Sequence, residues 1–151
     1  MHKKETVIFE AVYHQIMLLV AEKPRIEVVG LCFGNQDKKR IELRSFKQTA
    51  NLDDSATSFS LDYEFMYREI QYHEEKREIL VGIFHSHPEG AKLYPSQKDL
   101  HYMRYWPYPY LWLIGGREGI NLNSQLMIFS FLEGEIVEIP YIIKTNSHNQ
   151  S

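Results

Sequence analysis

The chain has 151 residues, is 44% hydrophobic and 13% aromatic, and so has the length of one domain and enough apolar side chains for a packed core. Wholesale disorder is excluded on that composition. The formal net charge is −3 and the basic residues are dispersed, so no Lys/Arg block marks a nucleic-acid or anionic-membrane surface. The single cysteine, Cys32, has no intramolecular partner, which rules out a disulfide-stapled fold and permits a reducing compartment.

Taken in chain order, residues 5–22 place Val7, Ile8, Ala11, Val12, Ile16, Leu19 and Val20 on one face of a predicted helix, closed by Pro24. Glu10, His14 and Gln15 interrupt its apolar residues, so neither a signal peptide nor a membrane span is expected, and a cytoplasmic protein is the default. Residues 26–34 read as a buried strand, 35–39 as a polar turn, and 40–46 as a half-buried strand paired with the first. A polar loop is expected at 51–58 and a helix at 60–77, with Leu61, Phe65, Met66 and Ile70 inward.

Residues 79–84 (ILVGIF) have the continuous apolar pattern of a central strand. That strand runs into His85-Ser86-His87-Pro88 and a Gly/Pro-rich loop ending at Pro95. Ser96 then opens a helix to about Tyr105. A strand follows at 110–114, ended by Gly115-Gly116. Residues 125–132 and 135–143 form an expected hairpin around Glu133-Gly134, and the tail from 145 is polar. No repeat or linker divides the chain. The order of elements predicts a single α/β domain over 1–144, a mixed sheet with packed helices, and a frayed tail at 145–151.

The chemistry is concentrated between Gly82 and Asp99. Side chains two apart on an extended strand point the same way, so His85 and His87 can reach one ion. A catalytic zinc takes three protein ligands and keeps one position for water, and Asp99, in the first turn of the next helix, is the candidate third ligand. His-x-His alone is too short a motif to be specific. Ser96 and Asp99 also have the spacing of a capping box, which is compatible with a ligand role because the cap holds Asp99 in place.

Together, His-Ser-His-Pro, the Gly/Pro loop and Ser-x-x-Asp resemble the signature of the JAMM metalloproteases, or MPN+ domains. The resemblance extends to Glu27-Val28-Val29-Gly30-Leu31-Cys32-Phe33-Gly34, which is similar to the family's upstream E-x-x-G-L-x-x-G context. The loop from Pro88 to Pro95 is one residue longer than is usual in the family. The resemblance implies an MPN-like fold and one Zn2+ held by His85, His87 and Asp99. It also implies Glu27 as general base, Ser96 as donor to the oxyanion, and Ser86 turned away from the metal. The implied substrate is an amide or isopeptide bond after the C-terminal Gly-Gly of a ubiquitin-like or sulfur-carrier protein. Two alternatives stay open at this stage: a non-catalytic MPN-type module binding a ubiquitin-like partner, and a zinc hydrolase of other small peptides or amides.

The remaining candidates have plainer readings. Cys32 in mid-strand is expected to be a small buried hydrophobe. His14, His73 and His101 are expected to be solvated or packed. A zinc deaminase needs H-x-E and a later P-C-x-x-C, which a chain with one cysteine cannot supply. The aromatic run from Tyr102 to Tyr110 is expected to pack the connection between helix and strand.

Overall fold

In the computed structural model, which describes residues 4–23, 25–53, 59–120 and 123–145, eleven elements build one mixed sheet with helices on both faces. The strands are β1 (Glu5–Phe9), β2 (Val29–Gln36), β3 (Arg40–Thr49), β4 (Ile79–Ser86), β5 (Leu111–Gly116), β6 (Gln125–Leu132), β7 (Glu135–Glu138) and β8 (Ile142–Lys144). The helices are α1 (Glu10–Glu22), α2 (Tyr63–Glu74) and α3 (Gln97–Tyr105). Their order across the sheet is β7-β6-β5-β4-β2-β3-β1-β8. β1 runs parallel to β3 and β8, β4 runs parallel to β5, and the other pairs are antiparallel. The expected α/β class with a mixed central sheet is what the chain adopts.

The strands at the centre alternate between two cores. Val81, Phe84, Leu111 and Leu113 face α1, against Val12, Ile16 and Val20. Ile83, Trp112 and Ile114 face the opposite side, with Met66 of α2 and Met103 of α3. Because helices cover both faces, β5 and the 79–84 run of β4 are apolar, the pattern legible in ILVGIF. Fully burying side chains such as Phe33 and Phe84 contributes roughly 1.5–3 kcal/mol each.

Two glycines of the upstream motif have packing reasons. A Cβ on Gly34 would overlap the carbonyl oxygen of Glu42, at the point where the β2–β3 register shifts. A Cβ on Gly30 would overlap the ring of Phe46, which lies across β2 at that point.

Strand ends shift by a few residues, as where the strand expected at 26–34 begins at Val29 and the one expected to end at Gly115-Gly116 runs through Gly116, and three departures are larger. Residues 5–9 are not the start of the first helix but strand β1, paired in register with 40–43 of β3. A five-residue run such as ETVIF shows either period, and its β-branched residues settle into the sheet. The second half of the expected C-terminal hairpin is two strands. Pro140 has no N–H for the ladder, so β7 stops at Glu138 and β8 crosses to pair with β1 at the far edge. The helix at 60–77 is shorter, opening at the N-cap Asp62, whose carboxylate accepts from the Phe65 amide at 3.1 Å. Pro24, most of the 51–58 loop and most of the 145–151 tail lie outside the described residues. No helix among the described residues is long and apolar enough to cross a membrane.

Candidate metal centre

Strand alternation delivers the histidines. Phe84 faces α1, so His85 emerges on the face of α2 and α3, and His87 two residues later returns to the same side. The His85 ring is fully buried and stacks on Phe59 at 4.3 Å between centroids. Phe59 stacks in turn on Tyr102 of α3 at 5.1 Å. This aromatic stack holds the plane of His85 without a hydrogen bond to its Nδ1, which is buried and has no partner among the described residues.

Asp99 comes from α3, where the expected capping box is formed. The Asp99 amide donates to Ser96 Oγ at 3.0 Å, and the Ser96 amide donates to Asp99 Oδ2 at 2.8 Å. The cap therefore aims the same carboxylate oxygen that meets the histidines. Asp99 Oδ2 lies 3.1 Å from His85 Nε2 and 3.2 Å from His87 Nε2, and the two Nε2 atoms are 3.1 Å apart. These are the three side chains among the described residues whose ligand atoms converge as a metal-binding group.

The triangle fits a metal. An ion about 2.0–2.1 Å from each ligand of a tetrahedron sets ligand atoms roughly 3.3 Å apart. All three sides of the triangle lie close to that length. The donor set of two imidazoles and one carboxylate also matches the chemistry of an open, borderline-soft divalent site. A cation further accounts for two imidazole nitrogens and a carboxylate oxygen turned toward one point in a buried space.

The charges follow from burial and contact. Burial pushes His85 down, against the opposing pull of Asp99, and so favours the neutral imidazole a metal requires. Burial would raise Asp99. Its hydrogen bonds and charge interactions with His85 and His87, together with the Ser96 amide, outweigh that and hold it well below the usual carboxylate range. Burial would lower His87, but Asp99 and the carbonyl of Lys92 raise it overall.

Glu27 lies just before β2, with 5% of its surface exposed. The β2–β4 register pairs Val29 with His85, and continuing it sets Glu27 across from His87. Burial pushes its carboxyl from 4.5 up to about 7, with His87 and Lys98 lowering it and Asp99 and Asp53 raising it. Ser96, by contrast, is exposed at the mouth of the site. Ser86 turns away from the metal-binding triangle, as expected, and its hydroxyl binds the backbone of Ile26 and Val28.

The longer loop after His87 is pinned rather than loose. The Gly90 amide donates to the Arg117 carbonyl at 2.7 Å, the Gly119 amide donates to the Gly90 carbonyl at 3.0 Å, and the Leu93 amide donates to Glu118 Oε1 at 2.9 Å. The extra residue is thus absorbed in a loop that is anchored to the end of β5.

The other candidates take structural places. Cys32 is fully buried in β2 and burial pushes its thiol far up, which leaves it inert. His14 and His101 are exposed. His73 is buried, stacked on Phe33 at 3.8 Å and 3.1 Å from Glu78. In the aromatic run, Trp106 stacks on Trp112 and its carbonyl accepts from the indole of Trp112, while Tyr105 is 72% exposed. Sequence reasoning missed Asn51 and Asp53, which pairs with Lys98 at 2.9 Å, in the stretch 51–58 read as a plain polar loop, and Phe59 just after it. Contacts of single side chains across sequence leave no period or motif to read.

Comparison with known proteins agrees with this geometry. Residues 9–127 match the family model for prokaryotic homologs of the JAB domain. The chain is 32% identical over 114 residues to a desampylase from Pyrococcus furiosus, covering 76% of each protein. The solution structure of protein DSY2949 from Desulfitobacterium hafniense shares the fold, with a TM-score of 0.76 at 21% identity over 93% of this chain and 94% of that one. With the match spanning most of the domain and the His-Ser-His-Pro and Ser-x-x-Asp segments meeting at one point in space, the chain belongs to the JAMM/MPN+ family.

Proposed function

We propose that this protein is a zinc metallopeptidase that hydrolyses the amide or isopeptide bond after the C-terminal Gly-Gly of a ubiquitin-like or sulfur-carrier protein. The observation that carries the reading is the convergence of His85, His87 and Asp99 within 3.2 Å of one another beside a buried carboxyl, Glu27. A buried carboxyl next to a ligand triangle favours a catalytic site over a binding module. The similarity to a desampylase supports a hydrolase of a protein modifier.

In this reading His85, His87 and Asp99 hold the zinc, which when bound lowers the pKa of water to roughly 7 and polarises the scissile carbonyl. Glu27 accepts the proton of the attacking water on a carboxylate oxygen and returns it to the leaving amine. Burial raises this carboxyl in the metal-free site, and a cation held by His85, His87 and Asp99 would oppose that shift and favour the carboxylate that accepts the proton. Ser96 keeps its own O–H free while Oγ accepts from the Asp99 amide, so the hydroxyl is available to donate to the developing oxyanion.

The test uses a ubiquitin-like carrier with an isopeptide-linked lysine after Gly-Gly, followed by intact mass. Chelator-treated protein is expected to be inactive and to recover with one equivalent of zinc. Unchanged cleavage after complete removal of metal overturns the reading.

A further inference from the structure

Glu27 sits on the short stretch of chain between α1 and β2, and its backbone is held from two sides. On one side, Ser86 Oγ accepts from the Val28 amide at 2.9 Å and donates to the Ile26 carbonyl at 3.2 Å. The Ser86 amide adds a ladder bond to the Val28 carbonyl at 2.9 Å. On the other side, Asn51 Nδ2 donates to the carbonyl of Glu27 itself at 3.1 Å. We propose that Asn51, acting together with Ser86, is a positioning residue for Glu27, clamping the peptides on both sides of it so that the carboxylate is presented to the metal centre in one orientation.

Asn51 is suited to this because its own amide is immobilised. Its Oδ1 accepts from the Asp53 amide at 3.0 Å and from the Ser60 amide at 2.9 Å, and Leu52 and Ser60 close the neck of the loop with a backbone bond of 3.1 Å. Asp53 then reaches Lys98 of α3 at 2.9 Å. The segment that carries Asn51 therefore ties Glu27 to the helix that carries Ser96 and Asp99. Ser86, between the two histidines, links the same base to β4. A carboxylate that must meet a water beside a metal gains from such bracing, since displacement by about 1 Å can cost as much as 10²-fold in rate. This inference rests on Glu27 being the base in the function proposed above.

The two amide functions of Asn51 can be separated. Asn51→Asp keeps an oxygen for Asp53 and Ser60 but cannot donate to Glu27, whereas Asn51→Ala loses the bonds to Glu27, Asp53 and Ser60 together. With the isopeptide-linked carrier, Asn51→Asp and Ser86→Ala are expected to lower kcat by about 10–100-fold with KM within about twofold and zinc content unchanged. Ser86→Thr, which retains the hydroxyl, is expected to recover most of that loss. In a Glu27→Gln background, adding Asn51→Asp is expected to change the residual single-turnover rate by less than about twofold, because the two act as one unit. Hydrogen exchange in the metal-free protein gives a readout independent of turnover: Ser86→Ala is expected to speed exchange at the Val28 amide while β4–β5 amides stay protected. Wild-type kcat in folded, zinc-loaded Asn51→Asp, or full additivity with Glu27→Gln, overturns the clamp. If Glu27→Gln itself turns over normally, the function assigned to Glu27 fails first, and the Val28 exchange result then reports only on the hydroxyl contact.

Discussion

His87 Nδ1 lies 2.7 Å from the carbonyl oxygen of Lys92, five residues further along the chain. The carbonyl can only accept, so Nδ1 carries a proton, which leaves Nε2, the nitrogen facing His85 and Asp99, as the one able to ligate a metal. The loop between His87 and Ser96 thus supplies the contact that orients the ring of a proposed metal ligand. Among the described residues His85 Nδ1 has no such partner, and the ring is held by stacking against Phe59 and by full burial. The two imidazoles are held by different physics, one by a polar bond and one by packing.

This difference predicts unequal consequences of losing each support. Gly116 packs against the backbone of His87, and an added Cβ would lie 3.1 Å from the His87 carbonyl oxygen and 2.9 Å from a Leu93 methyl. Gly116→Ala is expected to displace the loop and weaken zinc binding by about 10-fold, the lower end of effects seen when groups supporting a ligand are altered. His87→Ala is expected to lose the metal outright. Competition with a chromogenic chelator measures both, and a His87→Ala protein with the parent's zinc affinity would remove His87 from the ligand set.

Glu27→Gln should behave oppositely in the metal-free protein and in the enzyme. Glutamine is nearly isosteric but cannot accept a proton at neutral pH, so turnover of the zinc-loaded protein is expected to fall by at least about 10²-fold with zinc retained. Substantial turnover in zinc-loaded Glu27→Gln would exclude Glu27 as the base.

The raised Glu27 carboxyl also predicts how stability varies with pH. Between 4.5 and about 7 the folded, metal-free protein holds a proton there that the unfolded chain has released. Stability from this group is therefore present below 4.5 and lost as pH rises through about 7. Relative to the parent, metal-free Glu27→Gln should gain about 2–3 kcal/mol between pH 5 and pH 8, the order of magnitude set by 1.36 kcal/mol per unit. Urea unfolding in excess chelator at the two pH values gives the difference directly. A parent and variant whose stabilities track each other across that range would show an unperturbed carboxyl.

Ser96→Ala separates two roles of one hydroxyl. The capping bond to the Asp99 amide is expected to be worth ~1 kcal/mol of stability. Loss of the oxyanion donor is expected to cost ~10²–10³-fold in kcat. Thermal unfolding and steady-state kinetics read the two independently. A stability loss with unchanged kcat would confine Ser96 to the cap.

Much of the site was legible because its geometry is local. Alternation along β4 and a helix cap at Ser96 are short-range rules, and they predict that His85 and His87 share a side and that Asp99 is held in the first turn of α3. Glu27 was reached only through the glycine context that follows it, and those glycines proved to mark close approaches of β3 to β2. What was not legible is non-local. That β8 pairs with β1, that Phe59 supports His85, and that Asn51 bonds Glu27 all depend on where distant segments meet. The first strand was lost to the helix because Val7 and Ile8 satisfy both periods and only pairing with β3 decides between them.

The fold also constrains how a substrate tail lies. β4 sits in the middle of the sheet, and the two free edges, β7 and β8, are at the ends of the strand order. A tail crossing the metal centre therefore cannot add as a strand to an edge of the sheet at that point, and its main-chain hydrogen bonds must come from loops such as 88–95. Such a passage beside buried ligands favours Gly-Gly, which brings the backbone close without a Cβ. Most of the affinity should then come from the folded body of the carrier. The expected outcome is cleavage after Gly-Gly of a carrier bearing one extra residue or an isopeptide-linked lysine. A free tail peptide should be cleaved at least about 10-fold less efficiently in kcat/KM, since it forgoes the body's contacts. A carrier with Gly-Gly changed to Ala-Ala should be resistant. Intact mass resolves all the products, and equal cleavage of the three would identify a general peptidase and remove the carrier from the proposal.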